Sequence, residues 1–118
     1  MESFENLYPN NPLVLHAVNL ALHIIRFSED LARAGKYAVL KQLIRSGTAV
    51  GELVMEAQSA ESKADFIHKL KIADKEARET WYWLYLCKNS EGYPFNETIP
   101  PLLKQIQLIL HSILKKGK

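Results

Sequence analysis

The chain has 118 residues, 47% hydrophobic and 24% charged, which is typical of one globular domain with a single core. Its 15 lysines and arginines against 13 acidic residues leave a formal net charge of +2, so charge alone does not indicate a nucleic-acid-binding protein. The single cysteine, Cys87, excludes an internal disulfide. With no signal peptide and no apolar run of membrane-spanning length, we expect a cytoplasmic protein without membrane contact.

The first half of the chain predicts two helices. Asparagine followed by Pro12 is typical of a helix start, because asparagine caps free backbone N–H groups and proline at the first helical position loses no hydrogen bond. Residues 1–9 are expected to form a loose arm. Apolar residues then recur three and four apart on both sides of Gly35, which predicts helices over residues 12–34 and 37–58. The short turn between them favours an antiparallel pair.

The second half predicts two more helices. Ser62 with Asp65 resembles a capping box at the start of a helix over residues 63–88. Glycine and proline then stop that helix, and Pro100 lies in the first turn of a last helix over residues 98–115. No segment reads as a strand. The sequence therefore predicts an all-α fold, an antiparallel up-down-up-down four-helix bundle, as a single domain over residues 1–118.

Small residues on the second predicted helix indicate close helix packing. Gly47 and Gly51 lie four apart, and each costs about 1 kcal/mol of helix propensity relative to alanine, so a use for the space is expected. Packing within the chain is the favoured interpretation. A helix of a neighbouring subunit is the alternative.

A polar strip runs along the same helix. Arg45, Thr48, Glu52 and Glu56 are spaced three or four residues apart, where unlike charges can pair. We expect a partly buried polar network that involves Arg45 and Glu56. The alternative is a solvated face.

Apolar residues surround the third and fourth predicted helices, more than one small bundle can bury. Aromatic side chains anchor interfaces efficiently. We therefore expect Trp81, Tyr82 and Trp83 to be divided between the core and the interface of a homo-oligomer. The alternative is a monomer with exposed aromatic residues.

Basic residues are concentrated late in the chain. Six of them are candidates for contact with RNA or DNA through phosphate rather than bases: Lys69, Lys71, Lys75, Arg78, Lys115 and Lys116. An ordinary solvated face, with acidic residues interleaved as partners, is the plainer interpretation. A protein-interaction module that docks a partner helix without binding nucleic acid is the alternative function.

Catalytic chemistry finds little support in the sequence. Asp65 and His68 form an Asp-x-x-His pair, but a di-metal centre in a helical bundle needs a second such pair, and none is present. Cys87 has no local cationic cluster beyond Lys88 that would lower the pKa of its thiol and activate it. There is no phosphate-binding loop and no nucleophile elbow. We expect a non-enzymatic protein with no cofactor and no metal.

One pattern spans the middle of the chain and resembles a known family. It comprises Arg45-Ser46, Thr48, Val50-Gly51, Glu56-Ala57, Asp65-Phe66, Leu70, Ile72-Ala73, Glu76, Glu79 and Leu84. The pattern resembles the four-helix bundle proteins encoded by intervening sequences in bacterial 23S ribosomal RNA genes. That family is also similar to the accessory variability determinant of diversity-generating retroelements. The resemblance implies a bacterial homopentamer that can meet nucleic acid and a reverse transcriptase as partners.

Overall fold

The fold is all-α. The computed structural model describes residues 1–117, which contain five helices and no β-strand. In chain order the helices are α1 (Phe4–Leu7), α2 (Pro12–Arg33), α3 (Tyr37–Ala57), α4 (Lys63–Lys88) and α5 (Ile99–Lys116). The bounds of α2 to α5 differ from the predicted ones by no more than one residue. Within the described range, no helix is both long and apolar enough to span a bilayer.

Local side-chain chemistry sets the starts of α2 and α4. The backbone N–H of Val14 donates to the side-chain oxygen of Asn11 at 3.2 Å, directly before Pro12. At α4 the backbone N–H of Asp65 donates to the Ser62 hydroxyl at 3.0 Å. The Asp65 carboxylate accepts a hydrogen bond from the backbone N–H of Glu61, the residue before Ser62. In a full capping box this second hydrogen bond comes from the backbone N–H of the cap residue itself, which here is Ser62.

The expectation of a loose arm over residues 1–9 is wrong. The Ser3 hydroxyl accepts a hydrogen bond from the backbone N–H of Asn6 and so caps the short helix α1. The rings of Phe4 and Tyr8 stack with centroids 6.2 Å apart, and both pack against the core. This apolar contact, which local propensity does not reveal, orders the segment.

The two glycines of α3 face α2 of the same chain. A Cβ atom at Gly47 would lie 2.8 Å from Cγ1 of Ile24, and one at Gly51 would lie 3.4 Å from the carbonyl oxygen of Ala17. The α2 residue number falls as the α3 residue number rises, so these helices run antiparallel. The helix that packs against Gly47 and Gly51, which the sequence did not identify, is therefore α2.

The remaining helix contacts link α1 to α2, α3 to α4, α4 to α5 and α5 to α2. The α3–α4 contact includes two hydroxyls without solvent exposure, since Oγ1 of Thr80 lies 3.0 Å from Oγ of Ser46. Within residues 1–117 the rest of the core is aliphatic apart from Ser28, Cys87 and one fully buried aromatic ring, Phe27. Its largest aliphatic members are Leu20, Ile24, Leu31, Leu43, Leu70, Leu84, Ile99, Leu103, Ile106 and Leu110.

Candidate nucleic-acid interface

The outer face of α4 carries exposed cations at helical spacing. Lys71, Lys75 and Arg78, which we call the basic face, are four and three residues apart and all exposed. The ion pairs of residues 1–117 include neither Lys71 nor Lys75. The exposed side of the helix is therefore positive although α4 also contains four acidic residues.

Two of those acidic residues turn towards α3. Arg45 donates to Glu76 at 3.1 Å and also to Glu79, so one guanidinium bridges two carboxylates of α4. The hydrogen bond from Arg45 lowers the pKa of Glu79, and the same contacts raise the pKa of Arg45. These carboxylates consequently do not neutralise the basic face.

The expected network does not join Arg45 to Glu56. Glu56 instead accepts a hydrogen bond from Lys69 at 2.9 Å, nearer the start of α4, and this contact raises the pKa of Lys69. Arg45 and Glu56 thus form two separate bridges between α3 and α4, with about half of each side chain in solvent. Lys69 lies in this seam, away from the basic face.

A third carboxylate of α4 turns the other way, towards α5. Oδ1 of Asp74 lies 2.9 Å from Nε2 of His111, and its Oδ2 lies 3.4 Å from Nε of Arg78. Arg78 therefore shares its charge with Asp74, while Lys71 and Lys75 keep theirs. The alternative from the sequence, a solvated face whose cations pair with nearby acidic residues, therefore describes Arg78 but not Lys71 or Lys75.

A basic cleft of about 460 Å³ opens where α4 begins and α5 ends. Lys63, His68 and Lys71 line it, with Gly117 on the opposite side. Lys115 and Lys116 are exposed and directly precede Gly117, so the end of α5 adds charge to the end of α4 that carries Lys71. The sequence placed these cations on separate helices. The contact between α4 and α5 brings the end of α5 to the start of α4.

An aromatic cleft of about 400 Å³ lies at the opposite end of α4, against the start of α5. Flat apolar side chains form most of its wall. The lining residues are Trp81, Leu84, Tyr85, Lys88, Asn89, Phe95, Glu97, Pro100 and Pro101. Sequence reasoning missed this cleft, because Phe95 and the two prolines come from the loop and helix that follow α4.

The three consecutive aromatic residues of α4 point in different directions, since neighbours on a helix are about 100° apart. Trp81 lines the aromatic cleft, and Tyr82 is exposed. Trp83 packs against the core, with its ring centroid 5.2 Å from that of Tyr82. The structure therefore does not bring Trp81, Tyr82 and Trp83 together on one surface.

A second exposed apolar surface lies on α2. Leu22 is 47% exposed and Ile25 is 44% exposed, three residues apart on the side away from the core. We call these two residues the α2 patch. In the part of the chain that the structure describes, the Cα atoms of α2 and α4 do not come within 8 Å of each other, so the α2 patch and Tyr82 lie on helices that are not direct neighbours. In the sequence this patch is recognisable as two apolar residues, Leu22 and Ile25, that lie outside the stripe of core residues on α2.

Residues suited to catalysis or metal binding are dispersed. Among residues 1–117, no three His, Cys, Asp or Glu side chains are grouped as metal ligands. Burial raises the pKa of the Cys87 thiol to about 11, which keeps it protonated near neutral pH.

Comparison with known proteins places this arrangement in a family of helical proteins. The family model of the 23S rRNA-intervening sequence protein matches residues 10–115. The chain therefore belongs to the 23S rRNA-intervening sequence protein family. No curated protein matches the chain at a significant level.

A solved structure supports the same placement. The chain is similar to a protein of unknown function from the S23 ribosomal protein family of Bacteroides thetaiotaomicron, with 38% sequence identity and a TM-score of 0.82. The match covers 87% of this chain and 98% of the other. Neither comparison assigns a biochemical activity.

Proposed function

We propose that this chain is a non-enzymatic accessory or scaffold protein that contacts RNA or DNA through the outer side of α4. The carrying observation is the separation of charge around that helix. Glu76 and Glu79 pair towards α3 and Asp74 towards α5, whereas Lys71 and Lys75 face solvent. Cations without local carboxylate partners bind phosphate at the least cost, because no ion pair has to be broken first.

The platform we propose for this surface is an antiparallel, up-down-up-down four-helix bundle of α2 to α5 in one domain. The helix contacts support it, because α2 contacts α3, α3 contacts α4, α4 contacts α5, and α5 contacts α2. Such a bundle holds the basic face on a rigid helix, and the same packing supplies the lysines at the end of α5.

Self-association belongs to the same proposal. A ring of identical subunits needs two different complementary surfaces on each subunit. The chain offers an apolar pair on α2 and an exposed tyrosine, Tyr82, on α4. We propose a homo-oligomer in which the α2 patch of one subunit meets Tyr82 of the next, with Trp83 packed beneath it. The resemblance to the accessory variability determinant favours a pentamer and implies a reverse transcriptase as the class of protein partner.

The experiment is anisotropy titration of labelled RNA and DNA with the full-length chain at low and near-physiological salt. We expect binding that weakens as salt rises. The double variant Lys71→Gln/Lys75→Gln should reduce the slope of log affinity against log salt by about two, one for each lost phosphate contact. A matched control is Lys41→Gln/Arg26→Gln, which removes two exposed cations from α3 and α2.

Two outcomes would contradict the proposal. Absence of binding at low salt would favour the alternative, a protein-interaction module without affinity for nucleic acid. Equal losses in the Lys71/Lys75 variant and in the Lys41/Arg26 control would show that net charge, and not the basic face, determines the affinity.

A further inference from the structure

The aromatic cleft presents ring faces that a flat ligand can reach. Trp81 is 41% exposed and Tyr85 is 59% exposed, although both border the same concavity. Phe95, Pro100 and Pro101 also line it. Aromatic and proline rings that line a cleft without filling it offer a stacking surface for another planar group.

The charges at this cleft are arranged around its edge. Lys88 lines the cleft and places its ammonium nitrogen 5.6 Å from the centre of the Phe95 ring. Arg78 lies one turn of α4 before Trp81, so cations precede and follow the exposed aromatic residues along the helix. Glu97 is the one acidic lining residue. A carboxylate there disfavours a phosphate inside the cleft but can accept hydrogen bonds from the amino group of a base.

The cleft is also continuous with the basic face. Lys71 and Tyr85 are 14 positions apart on one uninterrupted helix, which corresponds to about 21 Å at 1.5 Å per residue. This length suits a short stretch of nucleic acid backbone, and single-strand sites begin at roughly four nucleotides. A strand that follows Lys71, Lys75 and Arg78 therefore arrives at Trp81 and Tyr85.

We infer that the ligand of this surface is a single strand of RNA or DNA, one base of which stacks in the aromatic cleft while its backbone runs along the basic face. This inference rests on the proposed function and specifies its ligand. A base within a duplex is already stacked and paired, so its faces are not available to Trp81 or Tyr85. The combination of stacking rings and flanking cations is the one that binds unpaired strands with little dependence on sequence.

The test compares a single strand of about ten nucleotides, within the range of known single-strand sites, with the duplex of the same length. Affinity is measured by anisotropy for the wild type, Trp81→Ala and Tyr85→Ala. We expect the wild type to prefer the single strand. Each alanine variant should lose about tenfold in affinity for the single strand and little for the duplex, with an unchanged salt slope. Trp81→Phe, which keeps a ring, should retain most of the affinity.

Two further measurements test whether the stacking occurs at the aromatic cleft. Tyr37→Ala removes another exposed tyrosine, at the start of α3 and outside the cleft, and should bind as the wild type does. Tryptophan emission should fall when the single strand is added to the wild type. This quenching should be absent in Trp81→Phe, where only Trp83 remains.

The outcomes distinguish this inference from the proposed function. Equal affinity for single strand and duplex, or wild-type affinity in both alanine variants, would overturn the stacking inference. If Lys71→Gln/Lys75→Gln nevertheless weakened binding in that case, the proposed phosphate contact would stand. No binding of any nucleic acid at low salt would overturn both.

Discussion

The pair of hydroxyls between α3 and α4 is the main polar contact inside the core. Ser46 and Thr80 have no solvent exposure, and their oxygens are 3.0 Å apart. Replacing Thr80 leaves the Ser46 hydroxyl with one poor hydrogen bond, to the carbonyl of Leu43 at 3.5 Å, whereas Thr80 can still donate to the carbonyl of Glu76 at 2.8 Å when Ser46 is replaced. A buried polar group that loses its partner costs about 1–3 kcal/mol.

We therefore expect Thr80→Val to lower the free energy of unfolding by about 1–2 kcal/mol. The double variant Ser46→Ala/Thr80→Val should be little worse than the single one, because it removes both polar groups. Urea unfolding of the wild type, both single variants and the double variant measures this coupling. Strictly additive losses would show that the two hydroxyls do not depend on each other.

The bridge from Arg45 to Glu79 makes stability depend on pH. The pKa of Glu79 is lowered in the folded state, so its contribution is fully present above the pKa of the unfolded chain, about 4.3, and is lost as pH falls through the lowered value. Glu79→Gln should cost less than about 1 kcal/mol at neutral pH, because both side chains are partly in solvent.

The difference between wild type and Glu79→Gln should shrink as the pH is lowered past this range. Thermal unfolding from neutral to acidic pH measures it. Glu29→Gln is the control, since Glu29 is exposed on α2 and belongs to no ion pair in residues 1–117. A constant difference across the pH range would mean that the ionised form of Glu79 is not the stabilising species.

At the scale of whole helices, the closest approach is that of α3 to α2. A methyl group at Gly47 would meet Ile24 at 2.8 Å, and the β-branched side chain of Ile24 is stiff and fully buried. At Gly51 the nearest atom would be 3.4 Å away, which is ordinary contact distance. Two glycines on one helix thus differ in how much space surrounds them.

Gly47→Ala should destabilise the protein by about 1–3 kcal/mol through overpacking, in excess of the gain in helix propensity. Gly51→Ala is the matched control and should be close to neutral or slightly stabilising, by up to about 1 kcal/mol. Chemical denaturation of both variants gives the comparison. Equal stabilisation in both would show that α2 moves away at no cost.

The helices were readable from the sequence because their signals are local. Asn11 and Ser62 begin helices by accepting hydrogen bonds from backbone N–H groups of the first turns, and Gly35 ends one by adopting a φ of 73°. α1 was not readable, since four residues have little helix propensity of their own and depend on the packing of Phe4 and Tyr8.

The candidate site was readable only in part. The exposed positions of Lys71 and Lys75 follow from helical spacing. The pairing of Arg45 with Glu76 and Glu79 instead of Glu56 depends on the register between α3 and α4, which spacing along one helix cannot supply. The aromatic cleft depends in the same way on which loop lies against α4.

At the scale of the whole molecule, the separation of two apolar surfaces makes a specific prediction about assembly. If the α2 patch of one subunit meets Tyr82 of the next, then Ile25→Glu and Tyr82→Glu should each abolish the oligomer, since both side chains are exposed and tolerate charge in the monomer. Light scattering after size exclusion measures the mass of each variant.

Mixing the two variants tests the geometry of the ring. Each Tyr82→Glu subunit keeps an intact α2 patch, and each Ile25→Glu subunit keeps an intact Tyr82, so one sound interface can form per pair. The mixture should give heterodimers and no larger species. Heterodimers would not be expected if like surfaces met, because an isologous contact repeats the damaged residue on one side of every mixed pair. Wild-type mass in both variants would show that these surfaces are not the interface.

The burial of the sole thiol provides a way to measure local opening at the end of α4. Cys87 lies three residues beyond Leu84, which lines the aromatic cleft, and its side chain is almost without solvent contact. A thiol-specific reagent therefore reacts only in those moments when the last turns of α4 separate from the core. The rate of labelling reports how often this end of the helix opens, and a strand seated across Trp81 and Tyr85 should slow it.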